Sequence, residues 1–158
     1  MKGRSLLLTI TLAAFLSGLL DLVVAIIVYS ILLDKTTALR ILQSVASGVF
    51  GKTAYSGGIE MAVIGLVFHF IISFIFTYLY FFAYTRLAFL RKERVFSGFV
   101  FGFFIWLVMN LIVLPITFSG LFPSDFVSAL IGIAIIIISI GIPVSLIAHF
   151  YYNRTSLN

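Results

Sequence analysis

The stretch "LLLTITLAAFLSGLLDLVVAIIVYSILL", residues 6–33, decides the fold class. Its one charged residue is Asp21, and it is longer than the ~20 residues that carry a helix across a ~30 Å hydrocarbon layer. Three further stretches, residues 61–85, 95–124 and 126–153, contain no Asp, Glu, Lys or Arg at all. All of them are continuously apolar, without the alternation that marks the strands of outer-membrane barrels. The expected fold is therefore an all-α integral membrane protein. It is a single membrane domain over residues 1–158, with four transmembrane helices at about 6–33, 59–85, 95–118 and 125–152 arranged as a bundle.

Composition points the same way. Of 158 residues, 63% are hydrophobic and 9% are charged, whereas a soluble domain has roughly 45–50% apolar and about 25% charged residues. Mean hydropathy is +1.27. The basic start Met1-Lys2-Gly3-Arg4 followed by an apolar run imitates a secretory signal. Signal cores are only about 7–15 residues, and this run continues to Leu33, so a retained anchor is expected. With no cysteine, disulfides, thiolate metal sites and cysteine nucleophiles are excluded. The net charge of +5 is expected to record orientation in the membrane, not an affinity for nucleic acid.

The basic residues set that orientation. Lys2, Arg4, Arg86, Arg91, Lys92, Arg94 and Arg154 fall on one side of a four-span threading, and only Lys35, Arg40 and Lys52 on the other. Positive-inside bias then places both termini in the cytoplasm. Tyr78, Tyr80 and Tyr84, with Tyr151 and Tyr152, are expected to form an aromatic belt at the inner interface. Residues 34–58 form the first outer loop. After a cap at Thr36 or Thr37, Leu39, Leu42, Val45 and Val49 recur at helical spacing. A short amphipathic or re-entrant helix at about 37–50 is expected there, with a hinge at Gly57-Gly58.

The segment "ASGVFGKT", residues 46–53, matches a relaxed phosphate-loop pattern. Such loops need a strand-to-helix turn and a metal-binding carboxylate nearby, and neither is present, so nucleotide binding is not expected. No HExxH or paired-carboxylate pattern occurs, and two histidines on different helices make no metal site. The chain is accordingly not expected to be an enzyme, nor to carry a cofactor or metal. Glu60 and Asp125 open the second and fourth helices, where a carboxylate favours a helix N-terminus, Ser124 or Asp125 is expected to cap the fourth, and His149 is expected to be an ordinary interfacial side chain. Pro115 and Pro143 each remove a backbone hydrogen bond, which predicts kinks near residues 111 and 139.

Intramembrane polar residues are the stronger signal. Asp21, His69 and Asn110 fall at similar depth, and each lies on a stripe of small residues of its own helix. Gly18 flanks Asp21, Gly65 and Ser73 flank His69, and Gly98 and Gly102 lie below Asn110. Small residues mark faces where helices approach closely in lipid, so the three polar groups are expected to converge. Two roles compete. Either the three satisfy one another and fix the packing of helices 1 to 3, giving a structural or interaction role, or Asp21 and His69 exchange protons in a transporter or channel. A transporter this small is expected to act as a homo-oligomer, and an accessory subunit as part of a larger membrane complex.

The motifs "LLDLVVA", "ILQSVASGVFG", "SGG", "GLVFHF" and "MNLIVLP" resemble those of a group of small bacterial four-span inner-membrane proteins with no established activity. The resemblance runs from "LLDLVVA" to Pro115, with Asp21, Gln43, His69 and Asn110 at the motif positions. It implies no substrate. It adds Gln43 to the candidate cluster, on the loop segment at its outer end.

Overall fold

A computed structural model describes residues 5–113 and 125–155. Lys2, Arg4, Pro115, the expected 114–118 end of the third helix and Ser124 lie outside them. The described residues are helical almost throughout. Four helices are long and apolar enough to cross a membrane: Leu6–Leu32, Gly58–Arg86, Arg94–Val113 and Phe126–Asn153, here spans 1 to 4. Their outward faces are apolar, as at Leu7, Ile31, Ile59 and Phe126, which are more than half exposed.

Local chemistry explains where the helices start and stop. Ser5 caps span 1 by accepting from the Leu8 amide, and Thr37 caps a loop helix, Ala38–Phe50, by accepting from Arg40. Asp125 caps span 4 through the amides of Val127 and Ser128. Asp34 takes a left-handed φ of 47° between span 1 and the loop helix, a conformation Asp tolerates better than most residues. The loop helix ends at Gly51 and span 2 begins at Gly58, where φ is 61° and 56°, values open to glycine at little cost. A 3₁₀ turn, Gly51–Ser56, joins them. A further short helix, Ala88–Lys92, between spans 2 and 3 was not foreseen.

Three π-helical segments interrupt the spans, at Ile27–Leu32, Val108–Val113 and Ile137–Gly141. The third immediately precedes Pro143, whose missing N–H and bulky ring rule out a regular turn. The second covers the position where a kink was predicted, and the first has no proline to explain it.

Span 1 packs against spans 2 and 4, span 3 packs along span 4, and the loop helix packs on span 2. The order across the molecule is therefore 2–1–4–3. Glycine makes the tightest of these contacts. A Cβ on Gly98 would lie 2.8 Å from the Gly141 carbonyl oxygen, and one on Gly102 would lie 2.6 Å from the Ile137 Cα. A Cβ on Gly65 would collide with the Leu42 carbonyl, so the loop helix crosses span 2 two turns in from Gly58. The half that carries Ser5 holds the larger apolar core, in which Phe76, Tyr80, Phe81, Phe101 and Val144 are buried.

At the loop-helix end, Lys35 ties span 1 to span 4. Its ammonium lies 3.6 Å from Asp125 and donates to Ser128 Oγ at 2.8 Å. Both charged side chains are about half exposed, 48% and 55%, so the pair adds little stability by itself.

Two outcomes follow. Gly98→Val should lower the free energy of unfolding in mixed micelles by about 1–3 kcal/mol, because backbone on both sides must move apart. Hydrogen bonds from the Ser128 hydroxyl, and then from the Val127 and Ser128 amides, hold the Asp125 carboxyl below the usual carboxylate range. That contribution is present above the unfolded-state value of about 3.9 and is lost as pH falls through the lower folded-state value. The melting temperature should therefore drop as the solution is acidified below about pH 4, and Asp125→Asn should flatten that part of the profile.

Candidate functional site

Spans 1 and 2 run antiparallel, so equal steps along each bring successive turns together. Ser73 Oγ donates to the Ala14 carbonyl at 2.8 Å, and one turn further His69 Nε2 lies 2.8 Å from the Gly18 carbonyl. A carbonyl oxygen only accepts, so Nε2 carries the proton in that contact. His69 Nδ1 is then the ring atom with a lone pair to offer. Gly18 is what permits the approach, since a Cβ there would sit 2.9 Å from Ser73 Oγ. Ser17 meanwhile turns back on its own helix and donates to Ala13.

Asp21 follows Gly18 by three residues and lies within electrostatic reach of His69. Its Oδ1 is shut off from solvent and finds no hydrogen-bond partner among the described residues. One and two turns beyond, on the same face, Ala25 and Tyr29 line a cavity of about 500 Å³ whose other walls include Thr36, Arg40 and Tyr55. Tyr29 is also within electrostatic reach of Asp21 and makes a long hydrogen bond to the Ser128 carbonyl, 3.4 Å.

Asp21, His69 and Asn110 make no hydrogen bonds to one another among the described residues. Asn110 belongs to span 3, which packs on span 4, not on span 1. Its amide donates back to the Trp106 carbonyl at 3.0 Å, and it lines a different cavity, between the loop helix, span 2 and span 3. Gln43 is 2% exposed and donates to the Gly58 carbonyl at 2.9 Å, which pins the loop helix to the start of span 2. Its Oε1 is buried without a partner. Depth was readable from the sequence for each of these residues, whereas the direction each faces depends on which helices are neighbours.

A second polar group was missed. Tyr80 bonds to Ser97 and Ser145, each at 2.9 Å, and the two serines lie 2.8 Å apart. Both serines also donate to the Arg94 carbonyl. Three hydroxyl protons can occupy only three of these five contacts at a time, so the triad that joins spans 2, 3 and 4 has alternative donor patterns, and all three side chains are at most 2% exposed. Tyr80 and Tyr84 were assigned to an interfacial belt, yet both are buried, while Tyr78 is 50% exposed and faces outward. His149 is likewise more than an interfacial side chain. Nδ1 meets the Tyr84 hydroxyl at 3.1 Å and Nε2 meets the Asn153 amide at 2.8 Å. The signal for Tyr80 was faint: Ser97 and Ser145 sit near Gly98 and Gly141, where backbones meet, and buried hydroxyls there need partners.

This hydroxyl triad yields a measurable coupling. Tyr80→Phe and Ser145→Ala should each cost about 0.6–2 kcal/mol in an unfolding titration. The double variant should cost less than their sum, because the Tyr80–Ser145 bond is lost in either single variant and the sum counts it twice. No protein-family model, no curated protein and no solved structure matches this chain.

Proposed function

We propose that the chain is a non-enzymatic, multi-pass protein of a bacterial inner membrane, a four-helix bundle with both termini in the cytoplasm and the loop helix at the outer side. Its activity centres on Asp21, with His69 beside it, in a small proton-linked transporter or channel that works as a homo-oligomer. The observation that carries this reading is the Asp21 Oδ1 atom, sealed from solvent and unpartnered among the described residues. An acidic oxygen with no donor costs free energy in an apolar surrounding, and an arriving proton or cation removes that cost. His69 lies within electrostatic reach as a second titratable group, and the cavity at Ala25 and Tyr29 opens one to two turns further along the face of span 1 that carries Asp21. The excess of basic residues at 86–94 supports the orientation.

A structural role is the second reading, and a different observation favours it. The bonds from Ser73 to Ala14 and between His69 and Gly18 join spans 1 and 2 without any help from Asp21. Those two contacts fit a protein whose polar residues serve only to set helix register, within a larger membrane complex.

Thiol chemistry separates the two, because the chain has no cysteine of its own. Single cysteines replace Asp21, Ala25 and the lipid-facing Phe15 in intact cells, and a membrane-impermeant maleimide is added outside. Labelling at 21 and 25 but not at 15 is the expected result. Protein that folds but stays unlabelled at both 21 and 25 would retire the proton-linked proposal and leave the structural role.

A further inference from the structure

Two cavities meet at the loop helix. The first, of about 500 Å³, carries Tyr29, Thr36 and Arg40 in its walls. The second is also about 500 Å³ and is mostly apolar, with Val45, Val49, Phe68, Ile71 and Met109 in its walls. Ser44 and Tyr55 line both, so the two spaces are adjacent. Arg40 stands at the junction, its guanidinium 5.5 Å from the centre of the Tyr55 ring. Among the described residues the one ion pair is Lys35–Asp125, which leaves Arg40 without a carboxylate partner.

We propose that the joined cavities form a single site for an anionic phospholipid. Its phosphate rests on Arg40, with the Thr36 hydroxyl as a further donor, and one acyl chain fills the apolar trough between spans 2 and 3. Each half argues for the other. A small soluble anion would neutralise Arg40 but leave the trough empty. A neutral fatty chain would fill the trough but leave the arginine uncompensated. Basic pockets between membrane helices recognise lipid headgroups through this combination of charge and shape.

Dimensions agree. Phe68 and Ile72, which line the trough, lie about 15 and 21 Å along span 2 from Gly58 at 1.5 Å per residue. Half of a ~30 Å hydrocarbon core is ~15 Å, so a chain hanging from a headgroup level with Gly58 reaches Phe68 in the trough wall. The packing order explains why this space exists. Spans 2 and 3 are held to spans 1 and 4, and they meet each other at the opposite end, through Tyr80 and Ser97. The site does not depend on the proton-linked proposal, since Asp21 lines neither cavity.

Gly48 provides a direct way to fill the trough it lines. A Cβ there would meet no atom within 4 Å, so the side chain of Gly48→Phe starts in open space at the trough wall. The full-length chain is reconstituted in phosphatidylcholine vesicles doped with phosphatidylglycerol, extracted gently, and weighed with its retained lipid by native mass spectrometry. Wild type is expected to keep one phosphatidylglycerol. Arg40→Ala should weaken retention about tenfold, the loss of one charge-assisted contact. Gly48→Phe should weaken it comparably although the arginine is intact, and Lys52→Ala, a basic residue lining neither cavity, should not weaken it. Circular dichroism melts establish that each variant folds, and if Arg40→Ala does not fold, Gly48→Phe decides alone. Equal retention of phosphatidylcholine, or equal losses in Lys52→Ala and Arg40→Ala, would overturn the proposal. So would displacement of the lipid by inorganic phosphate together with no effect of Gly48→Phe, which would make this a free-anion site.

Discussion

Backbone meets backbone at Gly65, Gly98 and Gly141, and those contacts seat the loop helix on span 2 and span 3 on span 4. In an apolar solvent, burying one leucine against another gains nothing over burying it against lipid, so helices associate through close packing and polar contacts. Glycine allows the closest packing. The crossing of spans 3 and 4 at Gly98 and Gly141 fixes that pair, and the Leu42 backbone on Gly65 fixes the loop helix on span 2. Spans 2 and 3 are then each committed to another partner. The space left between them near the loop helix is a result of that commitment.

Hydroxyl groups follow a consistent rule in the spans. Ser17 donates to a carbonyl of its own helix, and Ser73 to a carbonyl of the neighbouring one. Tyr80, Ser97 and Ser145 instead satisfy one another and end on the Arg94 carbonyl. Four buried side-chain atoms have no partner among the described residues: Asp21 Oδ1, Gln43 Oε1, Thr77 Oγ1 and Ser139 Oγ. An unpaired hydroxyl or amide oxygen is a modest cost, while an acid is a much larger one. That difference in cost is why Asp21 and not Thr77 or Ser139 is the centre of the functional proposal.

The two proposed sites divide the loop-helix end between them. Asp21 and His69 occupy the seam of spans 1 and 2, where side-chain bonds to carbonyls hold two helices in register. Arg40 stands at the cavity that Ala25 and Tyr29 of span 1 also line, and the apolar trough lies between spans 2 and 3. Gln43 lies on the helix between them and anchors it to Gly58, so the loop helix is the structural element common to both.

What the sequence by itself determined is what local chemistry controls. The lengths and apolarity of the four helices were readable from the placement of fifteen charged residues, ten basic and five acidic. The caps at Thr37 and Asp125 and the disturbance before Pro143 act within one or two turns, so they too were visible. Only the tertiary structure decided which polar residues meet. Rise per residue gives the depth of Asp21, His69 and Asn110, but not the rotation of each helix or the identity of its neighbour. The order 2–1–4–3 brings His69 to Gly18, turns Asn110 towards a separate cavity and buries Tyr80 among serines from two other helices. That order is set by backbone contacts between residues far apart in the chain, such as Gly98 with Gly141, and periodicity within one helix carries no information about them.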